Sequence, residues 1–169
     1  MQYNAALMNE STQAPNLEPA TLWRRLAAIL YDSIIIIAIW IVVGFVVLSA
    51  FGIDQAQVVQ NERVQMDPLY RLTLFCSMIL SAYLFFAWFW THSGQTLGMQ
   101  AWKLRVQNAD ASAISYKQSL IRFVLAPCSF LLLGAGYFYV FFNPQKQTFH
   151  DKMSHSIVTK ISWETKPLS

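Results

Sequence analysis

Three long apolar runs, separated by polar stretches, set the frame of this chain. They cover 26–51, 72–91 and 123–143. Each reaches the roughly 20 residues that a helix needs to cross about 30 Å of hydrocarbon. Helices are therefore expected over about 21–51, 69–91 and 115–143. Two shorter stretches read differently. Residues 102–107 (WKLRVQ) alternate apolar and polar, as a half-exposed strand does, and 156–161 (SIVTKI) is rich in β-branched residues. Two isolated strands leave backbone groups unpaired, so these two should pair with each other. Ser115 and Gln118 have capping-box spacing just ahead of the third run. The helix starting there should carry Lys117 and Arg122 at headgroup level.

The third run holds Pro127 and then Gly134 and Gly136. Proline and paired glycines bend or break membrane helices. The expectation is a segment that dips in, turns near 134–136 and returns; a single tilted crossing is the alternative. Basic residues give the orientation. Arg24 and Arg25 precede the first run, while Lys103, Arg105, Lys117 and Arg122 dominate the second loop. By the positive-inside rule these face the cytoplasm. A returning third segment would also put the lysines of the tail there. The expected fold class is an all-α integral membrane protein with two transmembrane helices, a third bent or re-entrant helical segment and a small cytoplasmic two-strand element. A membrane domain over 20–162 would lie between a flexible arm, 1–19, and a flexible tail, 163–169.

Composition agrees with this frame. Of the 169 residues, 55% are hydrophobic and only 12% charged. A soluble domain usually carries about 25% charged residues. The first twenty residues have no basic, apolar signal-peptide pattern, so the first run should be an uncleaved anchor. Trp23 and the stretch 88–90 should sit at the membrane interface. Cys76 and Cys128 lie inside apolar runs and read as compact packing residues rather than a disulfide.

One residue breaks the oil. Asp32 is the sole charge in 26–51. A carboxylate at mid-bilayer costs about 2.5–3.5 kcal/mol on insertion scales. Arg25 lies seven residues earlier, nearly on the same helical face and about 10 Å back. The tail supplies Asp151. A guanidinium can bind one carboxylate through two donors and use the rest for another. Hence the expected functional cluster is Arg25, Asp32 and Asp151, with Arg24, His150, Asn143 and His155 as support. The bland reading is that this cluster only locks the helices. The functional reading is that Asp32 exchanges a proton or binds a cation during transport.

Asp151 and His155 have the spacing of two ligands on one helical face, but His150 and His155 do not and no Cys lies nearby, so no metal site is expected. There is no G-x-S-x-G, H-E-x-x-H, P-loop or G-x-G-x-x-G motif. No enzyme activity, cofactor or nucleic-acid partner is expected. Lipid is the expected surrounding, with a homo-oligomer or a second membrane protein as partner.

Three stretches together resemble the RDD family of bacterial membrane proteins. They are 22–32 (LWRRLAAILYD), 94–106 (GQTLGMQAWKLRV) and 147–152 (QTFHDK). The arginine and two aspartates for which the family is named match Arg25, Asp32 and Asp151. Three departures stand out. Many relatives have Asp-Gly where this chain has Asp110-Ala111, an acid where Asn143 stands and a glycine where His155 stands. The resemblance implies an integral protein of the bacterial cytoplasmic membrane, and transport of ions or small solutes is the usual suggestion for the family. The leading expectation is therefore transport of a proton, cation or small solute through Asp32. The competing one is a non-transporting accessory or scaffold subunit of a larger membrane complex.

Overall fold

The computed structural model describes residues 18–52, 68–131 and 147–161. The expected arm and tail lie outside them, apart from Glu18 and Pro19, and so does the expected turn at 134–136. Two helices dominate: α1 (Leu22–Ala50, 29 residues) and α2 (Pro68–His92, 25 residues). At 1.5 Å per residue, α1 runs about 43 Å, which is more than hydrocarbon thickness. Both are long and apolar enough to cross a membrane. Pro68 opens α2 at the first helical position, where its missing N–H costs nothing.

The two helices are turned outside-in relative to soluble ones. In α1 the buried stripe is Arg25, Ala28, Asp32 and Ile36, while Leu30, Ile34, Ile37, Ile41 and Phe45 are exposed. Such a continuous apolar exterior needs a lipid solvent. Along the shared face the indole N–H of Trp40 donates to the Met78 carbonyl at 2.9 Å. A bond of this kind ties two spans together where no water competes. Cys76 and Cys128 are free and exposed on the helix surfaces.

The remaining elements gather at the Arg25 end of α1 and the Trp90 end of α2. They are α3 (Leu97–Ala101), β1 (Leu104–Gln107), α4 (Tyr116–Leu131), α5 (Phe149–Met153) and β2 (Ile157–Lys160). The two strands pair antiparallel, with Leu104 opposite Lys160 and Gln107 opposite Ile157. The other edge of β2 receives the lead-in to α1. Ala20 N–H donates to the Val158 carbonyl, Lys160 N–H donates to the Glu18 carbonyl, and Pro19 bridges Thr159. The buried apolar core sits here, built from Ala20, Ala28, Trp90, Met99, Leu104, Val106, Ile114 and Val158.

The start of α4 follows the capping-box spacing. Ser115 N–H donates to Gln118 Oε1 at 2.8 Å, and Gln118 N–H donates to Ser115 Oγ at 3.3 Å. Pro127 lies inside this helix. Two of the departures from the family pattern have a common backbone cause. Ala111 has φ 66° and His155 has φ 52°, both in the left-handed region that glycine adopts without strain. Glycine suits both turns for conformational reasons, and this chain accepts a modest strain at each.

Candidate functional site

Asp151 is completely buried, and everything around it donates to it. Arg25 Nη1 reaches one carboxylate oxygen; Arg122 Nη1 reaches the other at 2.5 Å. Thr148 N–H adds a third bond at 3.1 Å, because Asp151 is the N3 residue of α5 and closes its capping box. The local sequence Thr-Phe-His-Asp thus aims the acid back at its own helix start. There the two guanidiniums, from α1 and α4, clamp it from both sides. Arg25 also donates from Nε to the Ala20 carbonyl at 3.3 Å and from Nη2 to the Val158 carbonyl at 3.4 Å. Arg122 donates to Ser156 Oγ at 2.7 Å and lies 5.2 Å from the centre of the Trp90 ring. That cation–π contact helps keep a guanidinium away from water.

Burial pushes the Asp151 carboxyl up, but the Arg122 and Arg25 guanidiniums outweigh it and hold the group well below the usual carboxylate range. His150, beside it on α5, goes the other way. Burial drives its imidazole down to about 4, against an upward pull from Asp151. A base that folds neutral binds fewer protons than its unfolded form between the two pKa values, 6.5 and about 4. Stability should therefore fall as pH drops through that window, by up to roughly 1.4 kcal/mol per pH unit. Asp151 should add nothing to this slope, because its stabilisation is lost only as pH falls from near 4 to its depressed folded value. Melting curves in detergent between pH 7 and 5 should show the decline, and His150→Gln should flatten it. An unchanged slope in that variant would contradict the assignment.

Asp32 is buried at 4% exposure and takes a different set of partners. Thr96 Oγ1 donates to Oδ2 at 2.5 Å, and Gly98 N–H donates to Oδ1 at 2.8 Å. Thr96 is the N-cap of α3, and its hydroxyl accepts from Met99 N–H at 3.2 Å. The acid of α1 thereby pins the start of α3 through a hydroxyl and an amide. Among the described residues no guanidinium reaches it within ion-pair distance. Glycine at 98 is required by the approach itself: a Cβ there would run into the Ala28 carbonyl and lie 2.9 Å from the Asp32 carboxylate.

The structure thus joins Arg25 to Asp151 and seats Asp32 separately, on the wall of a cavity that Arg25 also lines. The supporting residues scatter. His150 lies beside Asp151, with Nε2 3.0 Å from Thr148 Oγ1. Arg24 is half-buried and donates to the Trp102 carbonyl at 3.4 Å. His155 is exposed in a tight turn. Asn143 lies outside the described residues. Among the described residues, no three His, Cys, Asp or Glu gather where a metal ion could sit.

Three residues were not expected in these roles. Arg122, expected among headgroups, is 5% exposed and shares Asp151. Its signal was available in the charge count: Arg25, Asp32 and Asp151 sum to one negative charge, and a second buried arginine brings the sum to zero. Thr96 and Gly98 gave a weaker signal, as a hydroxyl and a glycine at the start of a short helix. Trp90 also turns inward, while Trp23 and Trp88 remain exposed.

The cavity has a volume of about 410 Å³. Helix α2 packs against α1 and α4, and the cavity lies between these three helices, with the strands and α5 closing its end. Phe86, Met99, Leu104 and Phe123 make most of its wall apolar, while Arg25, Arg122, Asp32 and His150 bring polar groups to it.

Spans with apolar exteriors, closed at one end by a buried arginine–aspartate clamp, define a helical membrane protein. The family model described as "RDD family" matches residues 19–155, and the chain belongs to that family of membrane proteins. The chain is also similar to an uncharacterized protein of Rickettsia prowazekii (strain Madrid E), at 26% identity over 93 residues. That match covers 54% of this chain, and the chain spans about half the length of that relative (51%). No solved structure matches it.

Proposed function

We propose that this protein moves a small solute, a proton or a cation across the bacterial cytoplasmic membrane, with the cavity beside Asp32 as its binding chamber. The cavity itself carries the reading: about 410 Å³ of largely apolar space at the end of two spans, with a buried acid in its wall. Pockets of this size ordinarily hold small molecules, and an acid at membrane depth ordinarily marks a path. In this reading the clamp end faces the cytoplasm, where Arg24, Arg25, Lys103 and Arg105 satisfy the positive-inside rule. Two spans and a third apolar segment make a poor pathway alone, so passage would involve an oligomer. No catalytic role is assigned to any residue.

The experiment is flux into proteoliposomes, read with proton- and sodium-sensitive dyes. Flux at least tenfold above empty vesicles is expected, with loss in Asp32→Asn at unchanged protein content. A specific feature favours one competitor. Both Asp151 oxygens and both Asp32 oxygens already accept bonds from the chain's own donors, as a structural lock would require. On that accessory-subunit reading, the protein gives no flux and co-purifies with a second membrane protein.

A further inference from the structure

Helix α4 is amphipathic the wrong way round for a helix whose outer side meets water. Tyr116, Leu120 and Val124 recur every fourth position, Ile121 lies one step round, and all four are 41–58% exposed. At 3.6 residues per turn they share one side of the helix. Ser119 and Arg122 share the other side and are buried, Arg122 against Asp151. A water-facing helix does the opposite, with its apolar stripe inward and its charges outward. Helix α5 repeats the inversion. His150 and Asp151 are buried, whereas Phe149 and Met153 are 43% and 50% exposed. The clamp fills the inward faces of both helices with polar groups, and the apolar residues are left outside.

This outer face continues a surface already suited to lipid. Helix α4 packs against both α5 and α2, and α2 carries the same kind of exterior, with Leu80, Leu84 and Trp88 exposed. Elsewhere at the clamp end, polar side chains are exposed: Lys103 before β1, Asp110 and Ser112 in the turn after it, and Lys160 in β2. The clamp end therefore shows two kinds of surface, one suited to water and one to hydrocarbon. Charge narrows the partner further. Among the described residues of α4 and α5, the exposed charges are Lys117 and Lys152, and no acid is exposed. A lysine beside an apolar helix face can bury its stem and hold its ammonium among anionic headgroups.

We infer that the outer face of α4 and α5 docks into the bilayer leaflet on the clamp side, at the boundary of headgroups and acyl chains, with Lys117 and Lys152 selecting anionic lipid. The partner is the lipid surface itself. Leu120, Val124, Phe149 and Met153 then lie among acyl carbons, and the clamp sits at headgroup depth instead of projecting into water. Docking of this kind is independent of flux through the cavity, so the two are measured apart.

The full chain, carrying Cys76→Ser and Cys128→Ser, is placed in phosphatidylcholine nanodiscs with and without phosphatidylglycerol. Single nitroxide labels are attached after Leu120→Cys, Val124→Cys, Phe149→Cys or Met153→Cys. Leu80→Cys on α2 serves as the lipid control and Asp110→Cys as the water control. Collision with oxygen, which concentrates in hydrocarbon, is compared with collision with a water-soluble nickel chelate. Labels on α4 and α5 should follow the Leu80 control, with nickel collision several-fold below that at Asp110. Phosphatidylglycerol should lower it further, and Lys117→Glu with Lys152→Glu should abolish that lipid dependence at an unchanged melting temperature. Four positions on two helices keep the test open if one labelled variant fails to fold. Docking is overturned if these labels meet nickel as freely as the Asp110 control does, which puts the face in water. Shielding from both reagents overturns it too, because a second copy or another protein then covers the face. Equal readings in the two lipids would refute the selection of anionic lipid. Docking without flux would count against transport alone, and flux without docking would count against docking alone.

Discussion

Replacing Asp151 with Asn is expected to cost about 3–5 kcal/mol, the usual range when one partner of a buried ion pair is removed. The cause lies in what stays behind. Arg25 and Arg122 would remain buried at about 6% side-chain exposure with no counter-charge between them. An amide can accept from one of them at most, and its NH₂ would face the other guanidinium. The capping bond from Thr148 N–H would weaken as well. A typical domain has only about 5–15 kcal/mol in hand. The variant should therefore accumulate poorly in membranes and melt far below the parent in detergent. Asp151→Glu keeps the charge and should recover part of the loss. Parent-like melting of Asp151→Asn would mean that the clamp does not hold the end of the bundle.

Gly98→Ala should be the second severe change, although it adds one methyl group. The new Cβ would collide with the Ala28 backbone carbonyl and sit 2.9 Å from the Asp32 carboxylate. The first obstacle is backbone and the second is a carboxylate held by two hydrogen bonds, so α3 would have to withdraw from α1. That withdrawal breaks the Gly98 N–H bond to Asp32 and loosens the Thr96 bond beside it. Overpacking usually costs about 1–3 kcal/mol, and a backbone obstacle with a lost buried bond places this case at the upper end. Gly44→Ala is the control. Nothing lies within 4 Å of a Cβ there, and alanine favours a helix interior, so its melting point should hold or rise. Equal effects of the two substitutions would refute the close-approach argument.

The parts of this fold that depend on local pattern were legible in the sequence. The apolar runs at 26–51 and 72–91 correspond to α1 and α2, because a bilayer demands length and greasiness and little else. The alternation in 102–107 and the β-branched residues of 156–161 mark the paired strands, and Ser115 and Gln118 mark the start of α4. Arg25 and Asp151 could be matched because both are charges that need a partner. The same reasoning misplaced the company of Asp32. Counting charges offers an acid only cations, whereas a hydroxyl and a free helix-start amide serve as well and leave no mark in a charge count. Arg122 escaped for another reason. It meets Asp151 across 29 residues, and no helical or strand period spans that gap.

The clamp also imposes an order of events on synthesis. Arg25 and Asp151 stand 126 positions apart in the chain. At roughly 5–20 residues per second, the cation leaves the ribosome about 6–25 s before its acid exists. During that interval α1 carries the Arg25 guanidinium without the carboxylate that it meets in the finished fold. A truncated product would lack that carboxylate permanently. The short helix α5, which brings Asp151, therefore closes the clamp late, when every other partner of Arg25 before it in the chain has already been made.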